Sequence, residues 1–447
     1  MECLRNTMFA QIDFFLLGLL GAGIFLLILA RLEWGVLLLA VVTVTNVLWE
    51  RLFPFEADTV IGAIVLIAFL ANLAFRKKKW KRSALDVPVL ILILAGLTSL
   101  AVQGFTASQY FNETATQLVS LATIMGMSLL IVQILDNPKA IQRILKVLTI
   151  TALLTSLPTM VAMFLGVSSI QIGRLELTLF GRWGGVGARL GGIYEQPNVF
   201  ATLPVLNLSI GIAFAMNSKS KVRRAFWIGV SIVCITSLLM SQSRSAILGA
   251  LLGLFIMALI VRKRHMLFRY LGASVLMALV TFVVLEKGGI LESVLERLSW
   301  YYYMSQQAAG TEPSRPEIWR EAFILAVHNP FGYGAETKYL LGGAFGLAMK
   351  SGHNVFIDYL VSLGWLGFMG ILVLVANPLH GLWKFIHNND DREWQVLGAG
   401  LLAGLLGLWI HNLFHSMIHW MAIWIYFACV AATIQLGYNV PKKATPL

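Results

Sequence analysis

Three short stretches of this chain carry side chains that an apolar, membrane-crossing segment has no use for. Arg244 stands in Ser-Gln-Ser-Arg-Ser beside an apolar run, Arg315 opens Arg-Pro-Glu-Ile-Trp319, and His353 lies in Lys350-Ser-Gly-His-Asn354. Burying or translocating such groups costs free energy, so their presence points to an anionic ligand. Guanidinium is a planar fork that stays charged at any relevant pH and grips phosphate oxygens two at a time. Imidazole titrates near neutrality and is a natural proton acceptor for a hydroxyl. Lys350 adds a further cation, and Asn354 is suited to cap the helix that follows. Asp358 lies about one helical turn beyond His353, placed to hydrogen-bond it or a neighbouring helix.

The rest of the chain must position these groups, and its composition says how. With 447 residues, 58% hydrophobic and 13% charged, it reads as a polytopic membrane protein rather than a soluble domain. Apolar runs of span length predict helices, because a barrel would show short alternating segments instead. The candidate spans are 14–30, 36–49, 59–75, 86–103, 116–135, 145–166, 197–216, 225–240, 246–261, 268–286, 354–376, 395–415 and 420–437. The window 36–49 is short, so the expectation is an all-α fold with 12 or 13 transmembrane helices. The first run lacks a small-residue cleavage site and reads as an uncleaved span. Cys3, Cys234 and Cys429 make no disulfide framework.

The net charge of +12 is concentrated in the connectors 76–82, 219–224, 262–264 and 442–443, which read as positive-inside signals rather than as a nucleic-acid surface. Taking 76–82 as cytoplasmic leaves 167–196 and 287–353 as the two long outer loops. The chain then divides into helices over 1–286 with an Arg- and Gly-rich loop at 167–196, a partly helical outer loop over 287–353, and C-terminal helices over 354–447. Within the long loop, helices are expected from Arg315 to His328 and toward Met349, around a Gly-Tyr333-Gly turn.

Arg174, Arg182, Arg189, Arg244, Arg297, Arg315 and Arg320 all fall on the outer side, where positive charge should be scarce. Each either converges on an anion or pairs with a nearby acid such as Glu312, Glu317 or Glu321. Arg244 has no acidic neighbour in sequence. His353 is either a base or an interfacial histidine bonded within its own loop, and Glu195, Glu292, Glu296 and Asp358 are the other candidate bases. His411, His415 and His419 recur every four residues, a spacing that would put them on one helical face, where they are metal ligands or interfacial residues. Trp300 to Tyr303 reads as a sugar-stacking surface or an aromatic belt. No Walker loop or dinucleotide fingerprint is present, so a transferase would need a donor that is already activated.

Five motifs, taken in order, resemble the bacterial O-antigen ligase and polymerase family. They are Arg189-x8-Asn198-x2-Ala201, Ser243-Arg244-Ser-Ala-Ile-Leu, Arg315-x3-Trp319-x2-Ala322, Pro330-x-Gly-x-Gly334 and His353-Asn354-x9-Gly364-x2-Gly367. The resemblance covers about residues 185–370, and the last motif is the most specific. It implies a metal-independent, cofactor-free, inverting membrane glycosyltransferase of the GT-C type in the bacterial inner membrane. The donor would be a glycan on undecaprenyl pyrophosphate, used at the periplasmic face. Arg244 and Arg315 would hold the pyrophosphate with help from Arg189, and His353 would activate or position the acceptor hydroxyl. Lys350, Asn354, Asp358 and Trp319 would support them. The acceptor stays open between lipid A–core, as in ligases, and a second lipid-linked glycan, as in polymerases. A transporter of a lipid-linked glycan, or a scaffold, is the reading from a different class.

Overall fold

The computed structural model describes residues 25–52, 57–76, 80–165, 167–172, 175–178, 180–182, 188–261, 315–343 and 352–439, together with Gly23 and Gly272. The helices are α1 (Leu32–Val44), α2 (Asn46–Leu52), α3 (Ala57–Arg76), α4 (Asp86–Phe105), α5 (Phe111–Ile134), α6 (Pro138–Phe164), α7 (Pro197–Asn217), α8 (Lys221–Ser241) and α9 (Arg244–Ile260). They continue with α10 (Arg315–His328), α11 (Thr337–Gly343), α12 (Val355–Asn388), α13 (Arg392–Asn412) and α14 (Met421–Asn439). Helices satisfy their own backbone groups, which hydrocarbon cannot do. Among the described residues, helices α4 to α8, α12 and α13 are the seven long and apolar enough to cross a membrane, and α1, α3, α9 and α14 are shorter apolar helices. The chain is thus an all-α, multi-pass membrane protein.

Of the thirteen expected spans, 14–30 lies largely and 268–286 almost wholly outside the described residues. The remaining windows fall on helices, with three corrections. The window 36–49 is split between α1 and α2 at Thr45. Helix α12 continues to Asn388 rather than stopping near 376, so it is about 50 Å long at 1.5 Å per residue. The segment 167–196, expected as a loop, contains two antiparallel ladders, β1 (Ser169–Ile172) with β2 (Leu175–Thr178) and β3 (Phe180–Arg182) with β4 (Ala188–Leu190). Ser-Ile-Gln-Ile and Leu-Glu-Leu-Thr alternate polar and apolar residues, a period-two signal that a search for long apolar runs passes over.

Small residues set how closely the central helices approach. Gly249 and Gly253 of α9 face the backbone of Gly407 and Ala403 of α13, and a Cβ on either glycine would overlap a carbonyl oxygen there. On another side of α13, Gly400 and Gly404 meet the backbone of Ser209 and Leu206 in α7. Backbones this close gain packing along their whole length, which is how helices associate without a hydrophobic driving force between them. The registers bring the starts of α7 and α9 to the end of α13, at one end of the bundle.

Helix α12 is interrupted at Gly364, whose φ of 69° and ψ of −168° are far from helical. The backbone bond that Trp365 would donate to Val361 is replaced by two bonds to the chain after α10. Trp365 N donates to Pro330 O at 3.0 Å, and Tyr333 N donates to Val361 O at 2.9 Å. Only glycine fits at Gly364, because a Cβ there would overlap the Pro330 carbonyl. Gly332, with φ 90°, lies as close to the Ser362 carbonyl. The Tyr333 turn is also tied to the end of α4 and the start of α5. Gln103 donates to the Tyr333 carbonyl, Thr114 donates to Gln103, and Ala335 N donates to Thr114 Oγ1 at 2.9 Å. The helix expected from Arg315 to His328 is α10, and the stretch toward Met349 is helical as α11 over its described part.

Gly249→Ala should lower stability by about 1–3 kcal/mol through overpacking against α13. Gly229→Ala, with open space around the new methyl group, should be neutral or stabilising by up to about 1 kcal/mol. Unfolding of both variants in the same detergent checks the contrast.

Candidate functional site

The five motifs meet at one end of the bundle, and the loop after α13 joins them. Arg189 on β4 is buried. Its Nε donates to Ser241 O at 3.0 Å and its Nη2 donates to Asn198 Oδ1 at 3.3 Å, so it ties the strand to the end of α8 and the start of α7. His411, fully buried in the last turn of α13, bridges two other helices. Its Nε2 faces Asn198 O at 3.0 Å and its Nδ1 faces Ser245 Oγ at 2.9 Å. A carbonyl only accepts, so Nε2 carries the proton and Nδ1 accepts from the Ser245 hydroxyl. Arg244, one residue earlier, is exposed at the first position of α9.

The other half of the site comes from α10 and α12. Asn354 caps α12, its Oδ1 accepting from Phe356 N at 2.9 Å and Ile357 N at 3.3 Å. This fixes the preceding residue, and His353 is exposed with φ 53°, a left-handed backbone that non-glycine residues seldom adopt. Asp358 does not turn toward the imidazole. Its Oδ1 accepts from Gly352 N at 2.5 Å, closing the turn beneath His353. A carboxylate one turn into a helix reaches the backbone before it more readily than a side chain pointing away. Trp319 Nε1 donates to Gly352 O at 3.2 Å, which couples α10 to the same turn.

His415 links the halves. Its ring centroid lies 5.0 Å from that of His411 and 6.4 Å from that of His353. The Arg315 guanidinium lies over the neighbouring Phe414 ring, 5.4 Å from its centroid. Burial, and after it the unfavourable electrostatics of placing a charge beside His411, Arg315, His353 and Arg189, hold the His415 imidazole well below the usual histidine pKa. The site therefore brings Arg315 and Arg189 up to an imidazole kept neutral.

Other expected residues fall differently. Helix α13 ends at Asn412, so His415 and His419 lie in the following loop and the expected three-histidine helical face does not form. Asn412 Oδ1 accepts from Met417 N at 2.9 Å, which turns the chain there, and both ring nitrogens of His411 are already engaged. Among the described residues, no group of three His, Cys, Asp or Glu side chains is placed to hold a metal. Glu195 ends the short turn Gly192–Tyr194 with φ 56°, and Arg320 is exposed on α10. Arg182 lies on β3. Lys350, Arg174, Glu292, Glu296, Arg297 and the aromatic run 300–303 lie outside the described residues. The sequence reading missed His411 and His415 as members of this site. Their four-residue spacing was visible, but it suggested metal ligands or interfacial residues rather than a hydrogen-bonded bridge between helix ends.

These elements define a multi-pass helical membrane protein with a cationic, histidine-bearing site at one end of its bundle. Residues 229–372 match the family model described as O-antigen ligase, and the match supports membership of the O-antigen ligase and polymerase family. The matched segment contains Arg244, Arg315 and His353, whereas Arg189, Asn198, His411 and His415 lie outside it. No curated protein matches the chain at a significant level. The family indicates glycosyl transfer of the O-antigen ligase type.

The depressed pKa of His415 gives a pH test. The unfolded histidine protonates below about pH 6.5 while the folded one stays neutral, so stability falls as pH drops below that point, by at most about 1.4 kcal/mol per unit. Unfolding measured between pH 7 and pH 5 should show a shallower fall in His415→Asn than in the wild type. Equal slopes would remove His415 as a source of the pH dependence.

Proposed function

We propose that this protein is a membrane glycosyltransferase that moves a glycan from undecaprenyl pyrophosphate to a hydroxyl of lipid A–core, at the periplasmic face of the inner membrane. The observation that carries the reading is the meeting of Arg315 and His353 around the buried His415, with α10 joined to the His353 turn through Trp319. An anion-binding cation and a proton acceptor are the two groups that displacement of a pyrophosphate by a hydroxyl requires.

In this scheme Arg244 and Arg315 bind the donor pyrophosphate, and the lipid tail enters laterally between helices. The acceptor oxygen attacks the anomeric carbon as the bond to the pyrophosphate oxygen breaks. The proton of the hydroxyl passes to the His353 imidazole, and the negative charge of the leaving undecaprenyl pyrophosphate rests on the arginines. One displacement inverts the anomeric configuration. The arginines supply the positive charge at the leaving group, so the scheme calls for neither a metal nor a cofactor. Arg189, committed to Ser241 and Asn198, acts as a positioning residue for this end of the bundle, as do Asn354, Asp358 and Trp319 for the His353 turn. Lys350 is a further pyrophosphate contact in the scheme.

Purified protein given an undecaprenyl-pyrophosphate-linked oligosaccharide, with and without lipid A–core, tests the proposal. Glycan on the core, formed only when core is present, is the expected result. A ladder of longer lipid-linked glycan without core would make the protein a polymerase, and no product with folded protein and native substrates would favour transport. Arg244→Ala should weaken donor binding about tenfold or more, the loss expected for a charge-assisted contact. Unchanged donor affinity in that variant would remove Arg244 from the pyrophosphate site.

A further inference from the structure

The opposite end of the bundle carries a cavity that glycosyl transfer does not use. It has a volume of about 590 Å³ and is lined by Lys81, Arg82 and Ser83 before α4, by Asn377 and His380 of α12, and by Ile434 and Gln435 of α14, among others. The direction of the helices places it. The end of α4 reaches the Tyr333 turn through Gln103, so its start is remote from the His353 site. Asn377 and His380 lie more than twenty residues along α12 from Val355, on the far side of its break at Gly364.

Lys81 and Arg82 belong to the basic run 76–82, and a run that serves only as a topology signal has no need of a fixed backbone. Here the backbone is fixed by glutamines from two apolar helices. Gln133 of α5 accepts from Lys81 N at 2.9 Å and donates to Lys81 O at 2.8 Å. Gln435 of α14 donates to Arg82 O at 2.8 Å. Ser83 is held in turn, its N–H and hydroxyl donating to Asp86 at 2.9 and 2.7 Å. While the backbone is pinned, the Lys81 and Arg82 side chains are exposed, and among the described residues neither forms a salt bridge. His380 is exposed on the facing wall. Apolar groups from Ala84, Gly381 and Ile434 complete the lining.

Cationic donors beside apolar surface, at the bundle end that carries the basic connectors, match one chemistry. We propose that this cavity binds the phosphodiester headgroup of an anionic phospholipid of the facing leaflet, with Lys81 and Arg82 on the phosphate, His380 and Asn377 on headgroup oxygens, and Ile434 against the glycerol. Basic pockets between transmembrane helices on the cytoplasmic side recognise lipid headgroups in this way. The bound lipid joins the connector before α4 to α12 and α14.

The test is native mass spectrometry of the full chain in neutral detergent, titrated separately with phosphatidylglycerol, phosphatidylcholine and inorganic phosphate. The wild type should retain phosphatidylglycerol in preference to phosphatidylcholine. The Lys81→Gln/Arg82→Gln variant should bind phosphatidylglycerol roughly tenfold or more weakly. His380→Gln should show a smaller loss, and Lys219→Gln/Lys221→Gln, which removes the same charge from another basic connector, should bind within about twofold of wild type. An equal loss in that control would mean general surface charge and overturn the proposal. Wild-type binding in the Lys81→Gln/Arg82→Gln variant would also overturn it, as would displacement of the lipid by inorganic phosphate at matching affinity, which would make the occupant a free anion.

Discussion

The break in α12 at Gly364, where Trp365 and Val361 take partners outside the helix, governs the geometry on which the candidate site depends. A backbone group left unpaired at membrane depth costs several kcal/mol, so a broken helix persists only where another partner completes it. Here the segment Pro330–Tyr333 supplies both a carbonyl, for Trp365 N, and an N–H, for Val361 O. The exchange explains why the glycines of Pro-x-Gly-x-Gly and of the Gly-x-x-Gly after His353 belong together. Gly332 and Gly364 are the points where two backbones come too close for any Cβ. Docking of this segment fixes the end of α10, and Trp319 near its start reaches Gly352 beside His353.

A second constraint works on the other half. The glycines of α13 let α7 and α9 approach until backbones touch, and the register of that contact brings Asn198, Ser245 and His411 to one level. His411 then spends both ring nitrogens on fixing the starts of two helices, one of which presents Arg244. The loop 413–420 carries His415 and Phe414 into the space between the halves, where Arg315 and His353 face them. An exposed histidine in a left-handed conformation, on a turn fixed by Asn354 and Asp358, cannot easily relax away from that position.

Much of this was legible in the chain. Long apolar runs and basic connectors announce a helical membrane protein, and the motif order singles out Arg244, Arg315 and His353. The capping role of Asn354 follows from residue type and place. Less was legible where the partner is distant in sequence. Nothing local to Asp358 distinguishes a bond to His353 from a bond to Gly352. The contact between Pro330 and Trp365 has no periodic signature, because it replaces a helical bond rather than repeating one. The strands within 167–196 were hidden by the glycines and arginines around them, and the bend after Asn412 defeated a helical reading of the three histidines.

The central claim is that His353 takes part in the transfer step while the arginines bind the donor. Replacing His353 with Gln, which keeps size and polarity, separates the two roles. With donor affinity and turnover measured on the same preparation, the account predicts donor binding within about twofold of wild type and turnover lower by roughly 10²–10⁴, the usual contribution of a positioned base. Turnover close to wild type with intact donor binding would contradict it, and the chemistry would then have to be carried by another group at this end of the bundle.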